Sequence, residues 1–231
     1  MTIHVGHELS HAEVLQEVHE ILGKETSYVS FQQLDLVSGN LLHFSDISGE
    51  GLLEIDISVN KTLEVLNSQL LMVYCQLSED FHRLALFLKA WNKKNFTDKM
   101  TRLNSYTMSL MLLAFMQYEK LLPSLQAQSS DRVVISYYSQ TKSFNYNATA
   151  DVTFERDPDA LELDLPRKSL GETLYRFFRF FGHIFNSEVF AIDIRSGQTP
   201  FPQRQEVLSE MSEKFSKVPQ LLGQPLLKAN H

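Results

Sequence analysis

The sequence predicts an α+β protein, with a small sheet in residues 1–60 and a mostly helical remainder. Two observations carry that prediction. Residues 54–60 alternate Glu54, Asp56 and Ser58 with Ile55, Ile57 and Val59, the period of a strand buried on one face only. From residue 61 onward the apolar residues instead recur at three- and four-residue spacing, as on helices packed along one side.

Taken in order, Ser10 stands as an N-cap ahead of Val14, Leu15, Val18, Ile21 and Leu22, and Gly23 stops the run, so an amphipathic helix is predicted over 10–22. Residues 27–37 and 40–45 have strand composition, and Gly49-Glu50-Gly51 makes a turn into the strand that carries Asp56. A carboxylate on a rigid strand is well placed for metal ligation or proton transfer, although an acidic residue at a solvated sheet edge is the commoner case.

Helices follow at 63–77 and 81–95, the second with Leu84, Leu88 and Trp91 on one face and Lys89 and Lys93, four residues apart, on another. Asn104 or Ser105 caps a third helix, 105–121, which is apolar nearly all round and therefore predicted to be central, with Leu110 and Phe115 in its core; Leu121-Leu122-Pro123 ends it. Residues 127–165 break the rhythm: 133–139 and 144–155 have strand composition, which predicts a hairpin-like insertion. A helix over 169–182 begins at Ser169 with Glu172 three residues on, the spacing of a capping box. A short strand is predicted over 189–194, then a turn, a helix over 203–217 and an apolar tail. The division expected is 1–60 and 61–231.

Composition narrows the class. With 43% hydrophobic and 21% charged residues the chain is ordinary globular protein, and its single cysteine, Cys75, rules out an intramolecular disulfide framework. No apolar run approaches the length of a bilayer span, and the first residues, with Glu8, Glu13, Glu17 and Glu20, lack the layout of a secretory signal or transit peptide. An intracellular, more specifically cytoplasmic, protein with no membrane role is expected. The net charge of −7 argues against a strongly basic nucleic-acid surface, yet Lys89, Lys93 and Lys94 with Lys99 and Arg102, and Arg167, Lys168, Arg176 and Arg179, form local basic groups.

The stretches 66–71, 81–95, 103–117, 121–126 and 170–197, in this order and together with Glu54 to Asn60, resemble the noncanonical poly(A) polymerases and terminal uridylyltransferases, RNA-tailing members of the DNA polymerase beta-like nucleotidyltransferase superfamily. The resemblance covers residues 40–200 and lies in five blocks in register. It implies a partial nucleotidyltransferase domain at 1–60 and a helical central domain at 61–231, with nucleotide between them. It implies also a reaction that joins a nucleotide from UTP or ATP to an RNA 3′ end, assisted by two divalent ions, Mg²⁺ or Mn²⁺.

Carried onto this chain, the resemblance makes Asp56 the third of the family's three metal-binding aspartates. The other two, an Asp-x-Asp pair after a Gly-Ser turn, are missing: the matching place is residues 2–5, where Thr2 and His4 stand instead of carboxylates. Asn67 and Ser68 would contact sugar and base, Lys89 and Lys93 the triphosphate, and Ser105 a phosphate, while Tyr106 would stack on the base. Two lysines one helical turn apart form a point-charge clamp, and a tyrosine at the mouth of a helix can cover a base. The family's base-recognition loop is only faintly echoed by Gln224-Pro225-Leu226 and Asn230-His231. The expectation is a terminal RNA nucleotidyltransferase-like protein that binds nucleotide, with its catalysis in question. The competing expectation is an inactive homologue serving as a structural or regulatory subunit of an RNA-processing assembly, with a protein partner covering the N-terminal sheet.

Overall fold

The computed structural model describes residues 1–4, 10–24, 28–34, 41–46, 53–98, 102–140, 145–161, 163, 165–166, 168–187 and 190–197. The predicted turn at 49–51, the helix over 203–217 and the tail with its Gln224-to-His231 echo lie outside these residues. The chain divides into two compact units, Met1–Tyr74 with Ser129–Pro158, and Cys75–Gln128 with Asp159–His231.

In the first unit, β1 (Thr2–Ile3), α1 (His11–Gly23), β2 (Tyr28–Leu34), β3 (Leu41–Asp46) and β4 (Leu53–Val59) come in that order, and α2 (Thr62–Leu77) begins beyond them. The strands make one sheet in the order β1-β4-β3-β2. β1 runs parallel to β4, with Thr2 opposite Ser58 and Ile3 opposite Val59, while β3 is antiparallel to both β2 and β4.

Period-two alternation gives this sheet two chemically distinct faces. Leu42, Ile57 and Val59 point to one side, where they are buried with Val14 and Leu15 of α1 and joined by Ile3, Val18, Leu22 and Ile55. Each such aliphatic side chain contributes about 1.5–3 kcal/mol relative to exposure. α1 begins where predicted because the Ser10 hydroxyl accepts from the Glu13 amide and the Glu13 carboxylate accepts from the Ser10 amide, a reciprocal cap.

The insertion is a true hairpin: β5 (Val134–Gln140) pairs antiparallel with β6 (Asn145–Asp151), Val134 opposite Asp151. The Thr153 hydroxyl accepts from the Val133 amide at 2.7 Å and so closes the open end of the hairpin.

The second unit is helical, built from α3 (Glu79–Asn95), α4 (Ser105–Tyr118), the short α5 (Leu125–Gln128) and α6 (Leu170–Arg179). α3 starts two residues earlier than predicted, since Ser78 caps it by accepting from the Phe81 amide. α4 is central as its composition predicts, with Met108 and 112–117 all buried; Phe115 is fully enclosed, whereas Leu110 is half-buried. On α3, Leu84 and Leu88 are buried and Trp91 half-buried. Phe177 and Phe180, from and just after α6, pack on Phe115 with ring centroids 5.8 and 5.7 Å away, and Phe178 packs on Trp91 at 4.7 Å.

Four expectations change in detail. The helix predicted to reach residue 121 ends at Tyr118: Lys120 takes a positive φ of 59°, and the amides of Leu121 and Leu122 turn back to the Met116 carbonyl. The helix predicted over 169–182 becomes a wider π turn over Phe180–Ile184, closed by the Phe185 amide on the Phe180 carbonyl. Its N-terminus carries only half a capping box, for the Ser169 hydroxyl accepts from the Glu172 amide while the Glu172 carboxylate turns to Arg176 at 3.0 Å. Of the strand predicted over 189–194, the described residues 190–194 keep a single bridge at Phe190; the carbonyl of Ile194, and that of Arg195 just beyond, are taken by the side chains of Gln117 and Ser124.

That last contact explains Gly197. Its φ is +59°, and a Cβ there would stand 2.6 Å from the Cβ of Ser124. Gly197→Ala is therefore expected to destabilise the fold by about 1–3 kcal/mol. Gly171→Ala, in α6 with open space around it, should be neutral or slightly stabilising. Chemical denaturation of the two variants beside the wild type checks both.

Candidate functional site

The face of the sheet opposite α1 is polar by the same alternation that makes the other apolar. Across β1, β4 and β3 it carries Thr2, Ser58, Asp56 and His43. β4 aligns His43 directly opposite Asp56, and His43 Nδ1 lies 2.7 Å from Asp56 Oδ1. The hydroxyls of Thr2 and Ser58 lie 2.8 Å apart. After β4, Asn60 takes a positive φ of 53°, a conformation its short amide side chain tolerates, and the chain turns into α2.

α2 thereby borders this face. A cavity of about 440 Å³ is lined by Thr2, Asp56, Ser58, Glu64, Ser68 and Gln69, among others. Asp56 and Ser68, both singled out from the sequence, thus share one cavity; the Ser68 hydroxyl donates to the Glu64 carbonyl at 2.9 Å. Asn67, half-buried on α2, is not among the residues that line it. Beside the cavity, Gln69 accepts from Arg156, whose guanidinium also stacks 4.6 Å over Phe154.

Lys89, Lys93, Ser105 and Tyr106 belong to the second unit. The two lysines are exposed, one turn apart on α3, while Leu88 and Asn92 beside them are buried and hold the helix in place. Asn92 donates to the Leu103 carbonyl at 2.6 Å and so ties the segment before α4 to α3. Asn104 rather than Ser105 is the cap of α4: its Oδ1 accepts from the Thr107 amide at 2.7 Å. Ser105 and Tyr106 are consequently the first two residues of the helix, exposed at an N-terminus without acidic residues, where amides and the helix dipole favour an anion. Partial burial pushes the Tyr106 phenol above its ordinary range, so it stays neutral and suited to stacking.

Two magnesium or manganese ions need several oxygen ligands converging on each. Among the described residues no three His, Cys, Asp or Glu side chains do so. The cavity offers Asp56 and Glu64 with the hydroxyls of Thr2, Ser58 and Ser68 around them, and His4 lies exposed beyond the end of β1. Glu54 shares the strand with Asp56 but completes no such group. This donor set does not fit a two-ion centre.

His43 belongs to this site although the sequence alone does not single it out. Its signal was available in part, since 40–45 reads as a strand and Leu42 as its inward residue, which turns His43 outward. Opposing it to Asp56 requires the β3–β4 register, which composition does not supply.

The model of the Cid1 family poly(A) polymerase matches residues 169–218. Poly(A) RNA polymerase cid13 of Schizosaccharomyces pombe is 32% identical over 152 residues, covering 63% of this chain and 25% of that protein. Caffeine-induced protein 16 of the same organism is 26% identical over 208 residues, covering 86% of this chain and 16% of that protein. The chain thus spans a quarter or less of the length of these two relatives. Among solved structures, the Cid1 poly(U) polymerase with magnesium and 3′-dATP superposes with a TM-score of 0.70 at 20% identity, over 89% of this chain and 61% of that one. The structure of mtPAP with GTP gives 0.67 at 21% identity, over 87% and 42%. These similarities establish the fold.

The Asn104 cap is what presents Ser105 and Tyr106. Asn104→Ala is expected to cost about 1 kcal/mol of stability and to speed amide exchange in the first turn of α4, with the buried part of the helix unchanged. Hydrogen exchange followed residue by residue checks this.

Proposed function

Since the chain belongs to the noncanonical poly(A) polymerase and terminal uridylyltransferase family of nucleotidyltransferases, we propose that it is a nucleotide-binding portion of a terminal RNA nucleotidyltransferase, and that residues 1–231 taken alone do not transfer nucleotides. The observation that carries the binding half is the second unit's arrangement: Lys89 and Lys93 exposed one turn apart, with Ser105 and Tyr106 at a capped helix N-terminus. Lysine ammonium groups neutralise a triphosphate as point charges, the α4 amides and the Ser105 hydroxyl accommodate one of its phosphates, and Tyr106 covers the base of UTP or ATP. The RNA 3′ end is the acceptor in this reading, and the setting is the cytoplasm.

A second reading, an inactive subunit of an RNA-processing assembly with a partner on the N-terminal sheet, is favoured by one observation: among the described residues no three His, Cys, Asp or Glu side chains converge to hold an ion. A divalent ion would stabilise charge on the reacting phosphate and activate the RNA hydroxyl. This chain's own contribution is to bind and orient the nucleotide.

Two outcomes are expected. Residues 1–231 with Mg²⁺ or Mn²⁺, UTP or ATP and an RNA oligonucleotide should leave the oligonucleotide unextended on a denaturing gel; extension that vanishes in Asp56→Ala would refute the claim. UTP should bind at low salt and weaken steeply as salt rises, because exposed ammonium groups are screened within about 10 Å at 0.1 M. In calorimetry the double variant Lys89→Ala/Lys93→Ala should bind about tenfold more weakly or worse with the fold intact. Absence of UTP and ATP binding at low salt removes the nucleotide-binding role.

A further inference from the structure

Asp56 is not a bare carboxylate waiting for a ligand. It is well exposed, 62% by side-chain surface, and an exposed acidic side chain on a strand ordinarily samples several rotamers in water. Here the imidazole of His43, only 25% exposed, stands directly across the β3–β4 ladder with Nδ1 2.7 Å from Oδ1. An ionised carboxylate can only accept, so the hydrogen at that distance lies on Nδ1. The contact follows from register: Leu41, His43, Asp56 and Ser58 share the face opposite α1, and both strands are locked in that parity by the burial of Leu42, Ile57 and Val59.

The residues around Asp56 point the same way. Its neighbour on β1, Thr2, pairs with the Ser58 hydroxyl, and among the described residues no three His, Cys, Asp or Glu side chains come together around Asp56 to hold an ion. Hydrogen bonds to charged acceptors are roughly twice as strong as neutral ones. A divalent ion recruited to Asp56 would have to compete with His43 for the carboxylate and would find too few further ligands to complete its shell.

We infer that in this chain Asp56 serves as the hydrogen-bond acceptor of His43 rather than as a divalent-metal ligand, and that nucleotide binding by residues 1–231 does not depend on a divalent ion. The inference deepens the proposed function and rests on it for the nucleotide, but its first half concerns two side chains of one sheet and stands on their geometry.

The test uses the whole chain, uniformly labelled with ¹⁵N. Long-range ¹H–¹⁵N spectra at neutral pH should show His43 with its hydrogen on Nδ1, and Asp56→Ala, a surface substitution, should redistribute that hydrogen between the two ring nitrogens. On titration with Mn²⁺ the His43 and Asp56 signals should broaden no more than those of other exposed acidic residues. Calorimetry should give the same UTP affinity, or a weaker one, with Mg²⁺ as with chelator, in the wild type and in Asp56→Ala alike. His43 with its hydrogen on Nε2, or selective Mn²⁺ broadening at Asp56, overturns the inference. So does a gain of about tenfold in UTP affinity with Mg²⁺ that Asp56→Ala abolishes, a size typical of a real ligand sphere. If UTP fails to bind under any condition, the nucleotide-binding reading falls and takes the second half of the inference with it. The tautomer and the Mn²⁺ titration still decide the first half.

Discussion

The chemistry of the first unit depends on one constraint, the burial of a single face of a four-stranded sheet under α1. Leu42, Ile57 and Val59 are almost wholly enclosed, and a shift of one residue in either β3 or β4 would carry them into water and bring His43 and Asp56 into the apolar layer. Apolar burial of that extent outweighs any single polar contact on the far side. The polar face is therefore a consequence: Thr2, His43, Asp56 and Ser58 are assembled because their neighbours in sequence are needed elsewhere.

The second unit solves a different problem in a comparable way. α4 is apolar around most of its circumference and so must be surrounded, which α3 and the phenylalanines of α6 and the turn after it accomplish. A helix enclosed along most of its length shows chiefly its ends to solvent. Ser105 and Tyr106 stand at the N-terminal end, and the buried amide of Asn92 fixes the approach to it from α3. The lysines of α3 lie on the side of that helix that the core does not use. In both units exposed polar residues are positioned by buried partners next to them in the chain, which keeps them in register without requiring bonds of their own.

How far these features can be read from sequence follows from what each depends on. Local periodicity and capping chemistry are encoded within a few residues, so α1, α3, α4 and the Asp56 strand were legible, as was Ser169 as the start of α6. The ends of α4 and α6 were not, because they are set by distant groups: the reversal at Lys120 serves the packing of Leu121 and Leu122, and the π turn lets Phe180, Phe181 and Phe185 pack on one another. The strand at 189–194 failed for a related reason. Its apolar composition is real, yet the side chains of Gln117, in α4, and Ser124, just before α5, reach the Ile194 carbonyl from far earlier in the chain. Asp56 and Ser68 could be named from family blocks in register, whereas His43 could not, since its significance arises only when two strands are aligned.

His43 and the acidic balance of the chain meet at the same electrostatic question. A chain of net charge −7 that presents an exposed carboxylate near a polyanion pays a Coulomb penalty unless something offsets it. In enzymes built around two metal ions the cations provide that offset and convert the carboxylates from repulsive to essential. Here the His43 imidazole donates to the Asp56 carboxylate, orienting it and drawing density from one oxygen. In the second unit Lys89 and Lys93 are exposed positive charges on a helix held by burial on its opposite side. Exposed ammonium groups of this kind act as screened point charges, while the sheet face presents hydroxyl groups more than field. The polar face of the sheet is thus one on which a neighbouring donor orients the carboxylate, a consequence of the β3–β4 register and of the burial that fixes it.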